Sequence, residues 1–194
     1  TSDLKTLPIE NVICRGKTIA ENGNITVDCP HYNWPKSSRN TVNLGKTFSK
    51  EDFNIPAPEG TRLVSAKVIG VVENQAPTNA LTFELPVTDG RVQISGDVCH
   101  IALVERHRAT GHVSNGFVSG FGYTGEMAIA STVAHDSHHI IVVGTSRKDM
   151  ALAVNRLGEV GGGVAVFKNG QELALIELPI AGLMSDQPAT KVAN

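Results

Sequence analysis

The stretch from Ala134 to Gly144, A-H-D-S-H-H-I-I-V-V-G, sets three imidazoles and a carboxylate within five positions: His135, Asp136, His138 and His139. The β-branched run Ile140 to Val143 follows at once and reads as a buried strand. Ionisable groups persist at the edge of a core element when they are paired, bound to a metal or needed for chemistry. Read as extended chain, His135 and Ser137 face one way and Asp136 and His138 the other, while a turn would gather them differently. Histidine beside a carboxylate is the usual pairing for metal binding or proton transfer. A catalytic metal with an open position needs three protein ligands, and one loop rarely supplies them all. Ser137 lacks the flanking glycines of a nucleophile elbow, so hydrolysis by an activated serine is set aside. The plainer alternative is a capped, hydrogen-bonded loop.

A second polar cluster, Glu105, Arg106 and His107, with Thr110, Gly111 and His112 after it, also follows a strand end. Such groups are either solvated loop residues or functional residues carried by a rigid scaffold. Asn155 and Arg156 read as the polar face of a helix. Gly120 and Gly122 do not follow a strand in a dinucleotide-binding pattern.

The elements that must position these groups are mostly strands. Val12 to Cys14, Thr18 to Ile19 and Ile25 to Val27 are short strands joined at Arg15-Gly16 and Asn22-Gly23, too few to bury a core alone. Pro30 to Asn43 reads as a linker. Ser49, with Glu51 and Asp52, can cap one turn that ends before Pro56. Strands follow at Leu63 to Val72, Leu81 to Val87, Arg91 to Ile94 and Ile101 to Val104, and the run Thr110 to Gly125 is glycine-rich. After the Ile140 strand, Ser146 and Asp149 resemble a capping box, with Met150, Val154 and Leu157 at helical spacing and Gly161 to Gly163 as the stop. Val164 to Phe167, Asn169-Gly170 and Leu173 to Leu178 make a hairpin. Gly182 to Asn194 turns polar and is expected to fray. The fold class is α+β, a mainly antiparallel sheet with flanking helices, preceded by a few short strands from a small β-domain.

The 194 residues suffice for one core plus a small appendage. A 41% apolar and 19% charged composition fits a soluble globular protein. A net charge of -2 gives no footprint for nucleic acid or an anionic membrane, and no apolar run approaches a membrane span. No leader pattern is visible and the first residue is not Met, so the chain reads as a fragment or a processed product. Cys14, Cys29 and Cys99 form no Cys-x-x-Cys pair, which fits a reducing, cytoplasmic setting.

Longer motifs add a resemblance. E-R-H at Glu105 to His107 with Thr110-Gly111, G-F-V-S-G-F-G at Gly116 to Gly122, and A-I-A-S-T-V-A-H-D-S-H at Ala128 to His138 resemble the adenine deaminase C-terminal domain. So do D-M-A-L-A-V-N-R-L at Asp149 to Leu157, L-P-I-A-G-L-M-S-D at Leu178 to Asp186, N-T-V-N-L at Asn40 to Leu44 and I-P-A-P at Ile55 to Pro58. The likeness implies an enzyme of the amidohydrolase superfamily that hydrolyses adenine to hypoxanthine and ammonia in purine salvage. It implies manganese or iron held in a barrel, where the metal lowers the pKa of a bound water. The barrel motifs are absent here, so no cofactor is expected in this chain, and residues 1–45 and 46–194 resemble the closing strands of the small β-domain plus linker and the C-terminal α+β domain. The implied catalytic, pocket-lining residues are His135, Asp136 and His138, and the implied substrate-binding residues are Glu105, His107, Ser137 and His139, with no metal ligand. His139 stands where the family usually carries Asn. The implied partners are the barrel domain of the same enzyme, adenine as substrate and further copies in a homo-oligomer, with no nucleic acid or membrane. The isolated chain is expected to be inactive. The alternative is a structural or oligomerisation domain with no part in catalysis. A stand-alone metal or purine binder is a third reading, and neither ligand is expected to bind well.

Overall fold

A computed structural model describes residues 1–30 and 32–193, which form two compact units, Thr1–Asn33 and Trp34–Asn194. The first unit is a three-stranded antiparallel sheet of β1 (Asn11–Cys14), β2 (Lys17–Glu21) and β3 (Asn24–Ile25). Its apolar side chains Val12, Ile13 and Ile25 are exposed, as expected of a sheet too small to enclose a core.

The second unit is built on nine strands. They are β4 (Leu63–Gly70), β5 (Asn79–Thr88), β6 (Arg91–Val92), β7 (Val98–Val104), β8 (Val113–Ser119), β9 (Met127–Ser131), β10 (Ile140–Gly144), β11 (Gly163–Lys168) and β12 (Gln171–Glu177). Their order is β12-β11-β9-β10-β7-β8-β4-β5-β6. Every pairing is antiparallel except β4 with β8, which run parallel over Ile69–Gly70 and Val118–Ser119. The sheet therefore agrees with a mainly antiparallel α+β fold. The four dipeptides Arg15-Gly16, Asn22-Gly23, Asp89-Gly90 and Asn169-Gly170 all have positive φ at both positions. That pair is what a type I′ hairpin turn demands.

Helix α1 (Arg147–Val160) lies across one face of this sheet. The Ser146 hydroxyl accepts from the Asp149 N–H and left-handed Gly161 closes the far end. Only half of the expected capping box forms, because the Asp149 carboxylate accepts instead from the Gly170 N–H at 2.7 Å in the next hairpin. Met150, Ala153, Val154 and Leu157 are fully buried, one apolar stripe at 3–4 residue spacing against Ala102, Val104, Ile140, Val142 and Ala165. A second cluster, around Val68, Leu85, Val92 and Phe117, fills the β4–β6 end. The Ser49–Asp52 turn forms as expected, with the Asp52 carboxylate accepting from the Ser49 N–H.

Three segments differ from the sequence reading. The glycine-rich run holds strand β8, because Gly116 faces Ile101 across the ladder and the sheet tolerates it there. Val42, inside the supposed linker, is in the core, and the Asn43 N–H donates to the Arg106 carbonyl at 2.7 Å. The end expected to fray from Gly182 is tied down at its start, where Gly182 is buried and its carbonyl accepts from the Thr132 hydroxyl, and it holds the short helix α2 (Ala189–Val192).

Candidate functional site

Strands β7 and β10 pair with Val104 opposite Ile140, so the segments just beyond them meet at one end of the sheet. Those segments are Glu105–His107 and the His135–His139 loop. The loop is a turn and not extended chain: the His138 N–H donates to the Ala134 carbonyl at 2.7 Å and the Ser137 N–H to the His135 carbonyl at 3.1 Å. Asp136 (φ 75) and His138 (φ 49) are left-handed, a conformation Asp and His tolerate better than most side chains.

The Glu105 carboxylate organises its own loop. It accepts from the N–H groups of His107 (2.5 Å), Arg108 (2.8 Å) and Thr110 (3.1 Å) and from the Thr110 hydroxyl (3.0 Å). Partial burial opposes ionisation, but the backbone donors outweigh it and hold the carboxyl down to about 2. Arg106 is a buried charge, 2% exposed. Its guanidinium donates to the carbonyls of His138 and, at 3.1 Å, Ala181, with Thr41 at 3.5 Å. One side chain thus joins three distant segments. Gly182 makes room for it, since a Cβ there would stand 2.6 Å from the guanidinium. The Thr132 hydroxyl closes the same junction by donating to the Gly182 carbonyl and accepting from the Gly163 N–H.

Beside this junction lies an open cleft of about 690 Å³ lined by Glu105, His107, Arg108, Thr110, His112 and His139. The rings of His107 and His139 stand 4.8 Å apart at 50°. His107 Nε2 is 3.0 Å from the Ser137 carbonyl. A carbonyl only accepts, so this nitrogen donates, and in the neutral ring that leaves Nδ1 as the acceptor. Burial, then the neighbouring His107, lower the proton affinity of His139 and favour its neutral form. The Nδ1 atoms of His138 and His139 are buried with no hydrogen-bond partner. Such orphaned atoms call for an explanation in a folded protein.

The structure therefore gathers Glu105, His107, Ser137 (through its backbone) and His139. His138 is half-buried beneath its carbonyl's bond to Arg106. His135 and Asp136 are not among the cleft-lining residues. Their side chains contact each other at 3.0 Å and are 98% and 92% exposed. Thr110 and His112, named in the second polar cluster but given no role there, also line the cleft, and Arg108 was missed altogether. The β7–β8 hairpin, closed by the Glu105 N–H on the His112 carbonyl at 3.0 Å, was the signal that would have found them. Asn155 is no mere polar face, for its amide brackets the Phe48 backbone with bonds of 2.9 and 2.8 Å. Among the described residues no group of three or more His, Cys, Asp or Glu is placed to hold a metal ion.

Comparison with known proteins decides the family. A profile described as the adenine deaminase C-terminal domain matches residues 75–194, which include every cleft-lining residue. The chain belongs to the adenine deaminase C-terminal domain family. It is 69% identical over 193 residues to an adenine deaminase of Roseobacter denitrificans, covering 100% of this chain and 32% of that protein. It is 67% identical over 196 residues to one of Ruegeria pomeroyi, again 100% of this chain and 32% of the relative. A more distant one, of Moorella thermoacetica, is 42% identical over 193 residues, 98% of this chain and 32% of the relative. The chain thus spans about a third of the length of the adenine deaminases it matches.

Proposed function

We propose that this chain is the C-terminal portion of an adenine deaminase, and that its histidine cleft completes the purine pocket of the parent enzyme. The parent hydrolyses adenine to hypoxanthine and ammonia, a step of purine salvage in the cytoplasm, and assembles as a homo-oligomer. Residues 46–194 act as its C-terminal α+β domain. In this reading manganese or iron belongs to an amidohydrolase barrel upstream, and no step passes through a metal on this chain. The single observation that carries the reading is the His107–His139 pair lining an open cleft, with the Nδ1 atoms of His138 and His139 left unpartnered. Neutral imidazoles are suited to a planar nitrogen heterocycle, because they stack on its face and exchange hydrogen bonds with its edge. With Nε2 of His107 spent on Ser137, its Nδ1 accepts from an amine or ring N–H. His135 and Asp136, on the exposed tip, supply a proton-handling pair to a site that closes over them.

The test uses the parent enzyme. His138→Ala and Asp136→Ala each lower kcat severalfold or more while the melting temperature holds. Unchanged kinetics for both would refute the catalytic role. A second reading, a domain that only supports the fold or the assembly, draws on the Glu105 and Arg106 side chains, whose recorded bonds all go to their own framework. Under that reading the same substitutions lower the melting temperature and leave kcat per folded molecule intact.

A further inference from the structure

Three central strands carry apolar runs without alternation: Ile101 to Val104 in β7, Ile140 to Val143 in β10 and Val164 to Phe167 in β11. Runs of this kind belong to strands buried on both faces. One face is covered, where Ala102, Val104, Ile140, Val142, Ala165 and Phe167 join the core beneath α1. The alternate residues point the other way. The ladder sets Leu103 between Ile141 and Ser114, and Val166 beside Ile129. On that face Cys99, Val118 and Val143 form a small buried cluster, with Tyr123 packed against them. Ile101, Leu103, Ile141 and Val166 stay half-buried, while Ile69 is 44% and Ile176 41% exposed. Ile69, Ile101, Leu103, Gly116 and Ile141 line a shallow groove of about 230 Å³. At its Ser114 end the groove adjoins the histidine cleft, where the Ser114 hydroxyl meets His112 Nε2 at 3.2 Å.

We propose that this open sheet face is the surface on which the C-terminal domain docks against the upstream part of its own parent polypeptide. The occupant follows from length and continuity. The adenine deaminases that match this chain throughout are about three times as long, and the matched family is a C-terminal domain, so about two thirds of such a polypeptide precedes it. A body on the same chain meets the face at an effective concentration that a free second copy does not reach. The face also adjoins the cleft assigned above to the purine pocket through the Ser114–His112 contact, so a body that closes the cleft is placed to cover the face. The proposal rests on that assignment for its geometry, but its test does not read catalysis.

In the full-length parent enzyme, Leu103, Ile141 or Val166 is replaced singly by the photo-cross-linking residue p-benzoylphenylalanine, with Glu159 on α1 as the control site. Irradiation is expected to give a species of monomer mass whose cross-linked peptide maps upstream of Thr1 from the three face positions and not from position 159. A dimer-mass product, a cross-link to residues 1–33 or no product beyond the control overturns the proposal. As a milder probe, Leu103→Cys and Ile141→Cys are protected from a maleimide in the native enzyme relative to Glu159→Cys, and equal labelling also overturns it. Cross-linking upstream with unchanged kinetics for His138→Ala and Asp136→Ala would keep the docking surface and remove the catalytic reading. The reverse pair of results would do the opposite.

Discussion

Arg106 is a buried guanidinium whose recorded partners are carbonyl and hydroxyl oxygens, so its value lies in geometry: a planar fork reaches three segments that a lysine amine would not. Arg106→Lys is expected to destabilise the chain by about 2 kcal/mol, read as a shifted urea midpoint with an unchanged slope. Gly182→Ala, which drives a methyl into that guanidinium from a left-handed backbone, acts in the same direction. Asp136 is the opposite case. At φ 75 a side chain is strained, so Asp136→Gly is expected to keep or raise stability, by about 1 kcal/mol. A loss of turnover in that variant therefore reports the carboxylate itself, provided thermal melting shows the fold unharmed.

Two titrating groups set pH windows of the same sign. His100 is 4% exposed, and burial, then the Arg147 cation, press its pKa from 6.5 down to about 4. Between those values the unfolded chain binds a proton that the folded one refuses, so stability falls as pH drops from about 6.5 to about 4. Denaturant titrations across that range should show a shallower fall for His100→Leu. Glu105, ionised in the fold down to about 2 against 4.5 for the free group, adds a further loss over that lower interval. At this scale the clusters were legible as clusters, because histidine and acid beside a β-branched run stand out. Their roles were not. Glu105 is consumed by the backbone of its own 107–110 loop, the orphaned imidazole nitrogens of His138 and His139 sit in the turn made by left-handed Asp136 and His138, and nothing local announces that Glu105 and His139 line one cleft.

At the scale of elements, α1 was plain because its start, stripe and stop agree: Ser146, then Met150, Val154 and Leu157, then Gly161. Leu157→Ala should cost about 2–5 kcal/mol, since the side chain is fully buried between helix and sheet. The hairpin turns were equally plain, because two successive positive φ values leave few residue choices. Strands β8 and β9 were not. Glycine punctuates β8, and β9 is a short, small-residue strand whose Ala128 and Ala130 are wholly buried beneath α1. Small side chains there carry weak strand propensity, and packing overrides it. Asn155 was misread for a related reason: its amide imitates a strand neighbour for Phe48, a contact between residues far apart in sequence.

For the whole molecule, fold class and family could be read from the chain, whereas strand order could not, because β9 lies between β10 and β11 while β4 joins β8 across a long connection. That last join is the sheet's one parallel pairing, two residue pairs long, and a single apolar cluster packs across it, with Val98 of β7 and Phe117 of β8 against Ala66, Val68, Leu85 and Val92. Pairing over so short a length closes a large loop for few bonds. Amide exchange under native conditions should thus resolve two tiers, with β5 and β6 opening before β7 and β10. A single common rate for all four would contradict it. At this seam the backbone ladder is thinnest, and β4 to β6 rely there on the side chains of Val98 and Phe117, so a pull on that end would part the sheet at the join first and leave the histidine cleft intact on the larger remnant.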